Sequence, residues 1–119
     1  MKDRDIVLYS NLDTDRGVMP PIEQAGASRG QEREKMTVWV SFDGGQTWPA
    51  KRLVFDGPSA YSNLGVGRLG TPSGGKIYLL FEGGEEGMYS GIQVAIFNLD
   101  WVLRGELTGN GEIPTWVAE

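Results

Sequence analysis

The sequence contains neither cysteine nor histidine among its 119 residues. Without cysteine no disulfide bond can form, and without either residue the usual zinc sites are excluded. The absence of histidine also removes the commonest general base, and with it every serine–histidine or cysteine–histidine mechanism. We therefore expect neither a metal nor a cofactor.

Long apolar runs and positive charge are also scarce. The longest apolar run, residues 77–81, is far too short to cross a bilayer. The net charge of -5 and the pI of about 4.7 give no support to nucleic acid or an anionic membrane as a partner. Residues 1–5 lead directly into a predicted strand, so we expect no signal peptide there. The compartment is left undetermined.

Glycine and proline are plentiful, with 18 and 6 residues, and they predict many turns within at most one domain. Between the turns the sequence predicts an all-β fold of about six strands: 6–10, 36–41, 48–55, 59–69, 76–82 and 92–98. Residues 99–105 are predicted to form one or two helical turns, and residues 106–119 an irregular segment. Pro49 predicts that strand 48–55 lies at a sheet edge, and Gly57-Pro58 predicts a break after it.

Several predicted strands are apolar on both faces and must be covered on both. The blades of a β-propeller meet this condition, because each blade stacks between two neighbours. The tetrapeptide Tyr-Ser-Asn-Leu occurs at 9–12 and again at 61–64, an offset of about one kelch-sized blade. This is a weak indication of an internal repeat.

Residues 41–48 read Ser-Phe-Asp-Gly-Gly-Gln-Thr-Trp and predict a turn between two strands. Asp43 can accept hydrogen bonds from backbone N–H groups of the turn, and Gly44 and Gly45 allow a positive φ. Trp48 can bury its ring over the turn. The octet matches the Asp-box, S-x-D-x-G-x-T-W, at Ser41, Asp43, Gly45, Thr47 and Trp48. Asp-boxes occur in sialidases and other β-propellers, and they indicate fold rather than function.

Four further segments resemble the sialidase family. Residues 57–64 (Gly-Pro-Ser-Ala-Tyr-Ser-Asn-Leu) resemble the segment that carries the catalytic tyrosine. Residues 8–11 resemble the strand before the family's third arginine, and residues 78–84 resemble an apolar strand that ends in an aromatic residue and a glutamate. Residues 95–101 resemble the family's closing Phe-Asn-Leu-x-Trp. The resemblance implies that residues 1–119 are the C-terminal portion of a six-bladed propeller domain, about one and a half to two blades of antiparallel sheet.

The same resemblance implies roles for three residues. Tyr61 would be the nucleophile, Arg33 one of three arginines that clamp the substrate carboxylate, and Glu82 the residue that orients another arginine of the clamp. Arg29 is a weaker alternative to Arg33. Each assignment has a structural alternative, because Tyr61 would also suit a core, Arg33 lies in a charged run typical of solvated surface, and Glu82 would also suit an exposed strand end. The acid/base aspartate, the glutamate that pairs with the tyrosine and the other two arginines belong to earlier blades.

The activity implied by the resemblance is that of an exo-α-sialidase, which removes terminal sialic acid with retention through a tyrosyl intermediate. An arginine binds the carboxylate of that sugar bidentately, and a neutral tyrosine avoids the repulsion that a carboxylate nucleophile would meet. Because half of such a site is missing, we expect the isolated chain to show little or no turnover. For the parent family the resemblance implies a secreted or periplasmic location.

Two alternatives and one weaker pattern remain open. The chain would also suit a non-catalytic Asp-box module that binds glycans or proteins. Open blade faces would favour self-association, in which three copies could close a six-bladed ring.

Asn11, Asp13 and Asp15 alternate as in a calcium loop, but the glycine comes at position 17, one too late, and the closing glutamate is missing, so an ordinary turn is favoured. The polar stretch 11–31 is long for a structureless loop unless it is functional.

Overall fold

The computed structural model describes residues 5–14, 33–109 and 111–118. Within these residues the chain forms six β-strands and two short helices. They are β1 (Val7–Leu12), β2 (Glu34–Ser41), β3 (Ala50–Val66), β4 (Ile77–Gly83), β5 (Ile92–Phe97), helix α1 (Leu99–Leu103), β6 (Glu106–Leu107) and a 3-10 helix (Thr115–Ala118). All the strand pairs are antiparallel, which confirms the predicted all-β class.

The long strand β3 joins two halves of the sheet, in which the strand order is β1-β2-β3-β4-β5. Its residues 50–58 pair with β2, from Ala50 opposite Val40 to Pro58 opposite Glu34. Its residues 59–66 pair with β4, from Ser59 opposite Gly83 to Val66 opposite Ile77. We call β1, β2, β6 and residues 50–58 the first half-sheet, and residues 59–66, β4 and β5 the second half-sheet.

Of two predictions about β3, one was wrong and the other holds in part. Gly57-Pro58 does not break the strand but marks the point where β3 changes its pairing partner. An extended backbone suits proline, and the Pro58 carbonyl accepts a hydrogen bond from Gly84 N at 3.2 Å. The prediction that residues 48–55 lie at a sheet edge holds in part: β4 pairs with residues 59–66, and on the side away from β2 the pairing within the described residues is limited to Ala50 and Lys51, which pair with β6.

The other predicted elements are present with shifted bounds. The predicted helical turns form α1, where Asn98 Oδ1 accepts a hydrogen bond from Trp101 N at 2.9 Å and so caps the helix. The segment after Gly105, predicted to be irregular, contains β6 and the 3-10 helix. The reason is tertiary pairing, since β6 pairs with the start of β3 and Thr108 N donates to the Pro49 carbonyl at 2.8 Å.

The core lies between the two half-sheets and α1. One face of β2, one face of β4 and one side of α1 contribute its buried side chains, which include Met36, Val38, Val40, Leu79, Phe81 and Val102. The rings of Phe55 and Phe81 pack with centroids 5.7 Å apart. The two copies of Tyr-Ser-Asn-Leu also meet, through a 2.8 Å hydrogen bond between the hydroxyls of Ser10 and Ser62.

The opposite face of the second half-sheet is open. Leu80, Ile92, Val94 and Ile96 lie on it and are 47–72% exposed. We call these four side chains the open face. Neither helix within the described ranges has the length and apolar character that a membrane span needs.

Candidate functional site

The Asp-box turn is held together by two side chains, Ser41 and Asp43. The buried Ser41 hydroxyl donates to Asp43 Oδ1 at 2.8 Å and accepts from Gly45 N at 2.8 Å. Asp43 Oδ1 also accepts from the backbone N–H groups of Gln46 at 3.0 Å and Thr47 at 2.9 Å, and its Oδ2 accepts from the Thr47 hydroxyl at 2.5 Å. The predicted role of Asp43 as the acceptor of the turn is confirmed.

These hydrogen bonds stabilise the charged form of the Asp43 carboxyl. They lower the pKa of Asp43 from 3.8 to about 2, and the hydroxyl and the backbone N–H of Thr47 contribute most to this shift. Gly44 and Gly45 have φ of 78° and 93°, as the turn was predicted to require. The Trp48 ring lies over the turn, where a Cβ at Gly45 would be 3.6 Å from Trp48 Cζ2. This turn is a structural element, and its one carboxylate is already saturated with donors.

The three residues assigned by resemblance lie together at one end of the second half-sheet. Glu82 is on β4, and its Oε1 accepts a hydrogen bond from the backbone N–H of Tyr61 on β3 at 3.3 Å. The Arg33 guanidinium carbon lies 5.2 Å from the centroid of the Tyr61 ring, within the range of a cation–π contact. Pairing brings Arg33 there, because its carbonyl accepts from Ser59 N at 3.0 Å just before β2 begins.

The Tyr61 side chain projects from an irregular point of the sheet. The register between β3 and β4 shifts between Ser59 and Ser62, so that Tyr61 lies in a bulge. Its side chain is 74% exposed. Beside it is an open concavity of about 200 Å³ lined by Tyr61, Asn63, Leu80, Glu82 and Ile92, among others. A bulge next to an open cleft is a common way for a sheet to aim a reactive side chain.

Sequence reasoning missed a fourth residue of this group, Tyr89. Its hydroxyl accepts a hydrogen bond from Arg33 Nη1 at 3.1 Å, and its side chain is 64% exposed. Within the described residues Arg33 forms no ion pair, so its charge is not neutralised by a carboxylate there. The only sequence signal for Tyr89 was an aromatic residue inside a glycine-rich turn.

The other sequence-based candidates are Arg29 and the three residues of the calcium-like pattern. Arg29 and Asp15, with residues 15–32 as a whole, fall outside the described residues. Asn11 Oδ1 accepts from Leu12 N at 2.8 Å, and Asp13 forms an ion pair with Lys51 at 2.6 Å. No group of three acidic side chains suited to a metal ion occurs in the part of the chain that the structure describes.

Protein-family models, curated proteins and solved structures were compared with the chain, and none of them matches it. The strand pairings define the class as that of antiparallel all-β proteins.

Proposed function

We propose that this chain is part of a sialidase-type β-propeller and contributes Tyr61, Arg33 and Glu82 to a site for terminal sialic acid. The observation that supports the proposal is the proximity of these residues, which come from three separate stretches of the chain. The contacts are the 5.2 Å approach of Arg33 to the Tyr61 ring and the 3.3 Å hydrogen bond from Tyr61 N to Glu82. Sequence spacing alone does not require them to share one end of one sheet.

The chemistry of the group suits an anionic sugar. Arg33 is half-buried, and its guanidinium donates within the described residues to the neutral Tyr89 hydroxyl, so it would be able to bind a carboxylate bidentately. Tyr61 would attack the anomeric carbon from the bulge: its hydroxyl would give its proton to a base from another blade and bond to that carbon. The glycosidic bond would break in the same step, and the aglycone would leave with a proton from the acid/base aspartate of another blade. Glu82 would orient another arginine of the clamp.

The proposed site is half of an active site. A tyrosine hydroxyl needs a general base to act as a nucleophile at neutral pH, and within the described residues no carboxylate accepts a hydrogen bond from the Tyr61 hydroxyl. That base, the acid/base aspartate and two arginines would come from other blades. We therefore expect little or no release of fluorophore from a fluorogenic sialoside by the isolated monomer, and robust turnover would contradict this.

Binding of sialic acid tests the proposal without requiring catalysis. We expect weak binding of free sialic acid to the isolated chain and weaker binding of its methyl ester, which lacks the negative charge. Arg33→Ala should weaken sialic acid binding by roughly ten- to hundredfold, since it removes a charged hydrogen-bond donor. Arg33→Lys should recover part of the loss, because it restores the charge but not the planar fork.

The matched control is Arg68→Ala, which removes an exposed arginine from the turn after β3. It should leave the affinity for sialic acid unchanged. Equal affinities of the wild type and Arg33→Ala for sialic acid would contradict the proposal, as would equal affinities of the wild type for the acid and its ester.

A non-catalytic binding module is the second candidate. The observation that favours it is the 74% exposed Tyr61, whose hydroxyl has no base beside it among the described residues. If binding without chemistry is the function, Tyr61→Phe should retain both sialoglycan binding and the biological activity of the protein. A catalytic role in the assembled propeller requires that Tyr61→Phe lose the activity while it keeps the binding.

Self-association is a further part of the proposal. The open face exposes four aliphatic side chains next to one another on β4 and β5, and contiguous apolar patches of this kind mark interaction surfaces. A second copy, or another blade, would cover them. Glu82 lies opposite Ile92 in the pairing of β4 with β5, so the covering surface would also lie next to the proposed site.

A further inference from the structure

Three aromatic rings pack against one another on the outer face of the first half-sheet, with the Tyr9 ring tilted by 41° to that of Trp39 and by 54° to that of Trp48. Tyr9 on β1 pairs with Trp39 on β2, so the two side chains share the face opposite Val38 and Val40. Their ring centroids are 5.5 Å apart, and the Trp48 ring lies 5.8 Å from that of Tyr9. The three rings and Thr108 line an open concavity of about 260 Å³. We call Tyr9, Trp39 and Trp48 the aromatic platform.

The platform is held in place by polar contacts. Asn11 Nδ2 donates to the Tyr9 hydroxyl at 2.6 Å, and the Thr108 hydroxyl donates to the Trp48 carbonyl. Trp48 also closes the Asp-box turn, whose hydrogen bonds fix the backbone before it. Tyr9 remains 46% exposed and the two tryptophans are half-buried. Exposed rings that are already ordered lose little conformational entropy when a ligand stacks on them.

A polar hollow adjoins the platform on the same face. Lys51 lies opposite Trp39 in the pairing of β2 with β3, and it borders a concavity of about 180 Å³. Lys51 forms ion pairs with Asp13 at 2.6 Å and Glu106 at 3.7 Å, and the Asp13 contact raises the pKa of Lys51 above its ordinary value. The residues of the hollow that carry hydrogen-bonding groups are Asp13, Lys35, Thr37, Lys51, Asp56 and Glu106.

The combination of flat rings and a polar hollow restricts the ligand. A pyranose ring has an apolar C–H face that packs on the negative face of an aromatic ring, and a rim of hydroxyls that both donate and accept hydrogen bonds. The concavity of about 260 Å³ lies just below the size typical of drug-like ligands, and so suits one sugar ring. With three carboxylates against two ammonium groups, the hollow disfavours an anionic sugar.

We propose that the aromatic platform binds an uncharged pyranose residue, stacked on Tyr9 and Trp39 with its hydroxyls toward the hollow beside Lys51. The proposal does not rest on the sialic acid site, because it uses other residues and a ligand without charge. It gives the protein a second sugar-binding surface, one that would hold a neutral part of a glycan.

The test is a titration of the purified protein with the methyl glycosides of galactose, glucose and mannose. Binding is followed by saturation-transfer NMR and by the tryptophan fluorescence, to which the platform contributes two of the chain's four tryptophans. We expect at least one glycoside to bind with a Kd on the order of 1–10 mM. Tyr9→Ala and Trp39→Ala should each weaken that binding by about threefold or more, as expected for the loss of one stacking ring.

Controls separate stacking from misfolding. Tyr9 lies on a strand at one end of the sheet order and is nearly half exposed, so Tyr9→Ala should keep the circular dichroism spectrum of the wild type. Trp39→Phe keeps a ring and should bind better than Trp39→Ala. Leu69→Ala, at an 86% exposed position outside the platform, should bind as the wild type does.

Several outcomes would overturn this proposal. One is that the wild type binds none of the three glycosides at concentrations of about tens of millimolar. Another is that Tyr9→Ala and Trp39→Ala both bind the glycoside as tightly as the wild type does. The first result would leave the rings as a surface covered by another chain or blade. Tyr9→Ala should not alter Arg33-dependent binding of sialic acid, so the two sugar sites can fail separately.

Discussion

At the scale of the residue, the Asp43 carboxylate accepts four hydrogen bonds within one turn. Its charge is therefore favoured by folding. The folded state has a pKa of about 2 against the ordinary 3.8, so the unfolded state binds the proton more readily. The stabilisation by this group is fully present above pH 3.8 and is lost as the pH falls toward 2.

This linkage predicts the behaviour of Asp43→Asn. The variant should melt at a lower temperature than the wild type at neutral pH. The uncharged amide has one oxygen in place of two and cannot accept all four of the hydrogen bonds that the carboxylate accepts. The difference in Tm should shrink as the pH is lowered from 4 toward 2, the window that the pKa shift defines. Thermal melts by circular dichroism over this pH series measure it. Asp56→Asn, at an exposed position, serves as the control, and a constant difference in Tm would contradict the account.

Residue roles were predictable where the partner is close in sequence. The turn geometry at Gly44 and Gly45 and the acceptor role of Asp43 follow from residues within a single octet, and all were confirmed. Tyr89 was not found, because its partner Arg33 lies 56 residues away and a turn sequence carries no mark of that contact. The proximity of Arg33 to Tyr61 was expected only from family resemblance.

At the scale of the element, the position of α1 depends on a close approach to β3. Gly105, after the helix, leaves no room for a side chain, since a Cβ there would meet the Lys51 carbonyl and lie 2.8 Å from Arg52 Cβ. Arg52 of β3 also contacts the helix. Its Nη1 donates to the Trp101 carbonyl at 2.9 Å, and its guanidinium carbon lies 4.0 Å from the Trp101 ring centroid.

Gly105→Ala should therefore push α1 away from β3. We expect a loss of stability of about 1–3 kcal/mol, as for overpacking of a closed contact. Urea unfolding followed by tryptophan fluorescence measures the change. Gly65→Ala is the matched control, because a Cβ at Gly65 meets nothing within 4 Å and its φ is not positive. Equal stabilities of the two variants would show that the approach of α1 to β3 tolerates a methyl group.

The existence of the strands was predictable, but the pairing of β3 was not. Alternation of apolar residues located β2 and β4 to within two residues at each end. The continuity of β3 through Gly57-Pro58 depends on partners on both sides, Glu34 of β2 and Gly84 after β4. Local sequence shows a proline after a glycine and thus predicts a break in the strand, whereas the long-range hydrogen bonds keep the strand extended.

At the scale of the whole molecule, the open face is the largest departure from a self-contained fold. Among the described residues no strand pairs with the second edge of β5, and the strand has no charged residue to discourage pairing there. Three of its aliphatic side chains are 59–72% exposed. Natural edge strands usually carry a lysine or proline against such pairing.

Val94→Lys should therefore reduce self-association. We expect the wild type to form a concentration-dependent oligomer and the variant to need at least roughly tenfold more protein to reach the same mass, because a charge is placed in the apolar contact. Sedimentation equilibrium over a micromolar concentration series provides the masses. Val66→Lys, at a position 73% exposed on β3, is the control. A wild type that stays monomeric throughout the series would remove self-association from the account.

The most direct test of the central claim is a map of where sialic acid binds, recorded as backbone amide chemical-shift changes in the ¹⁵N-labelled chain. We expect the largest changes at Arg33, Tyr61, Glu82 and Tyr89, and we expect Arg33→Ala to reduce them strongly at the same concentration of sialic acid. Changes confined to the aromatic platform around Tyr9 and Trp39, or no changes at saturating sialic acid, would contradict the claim.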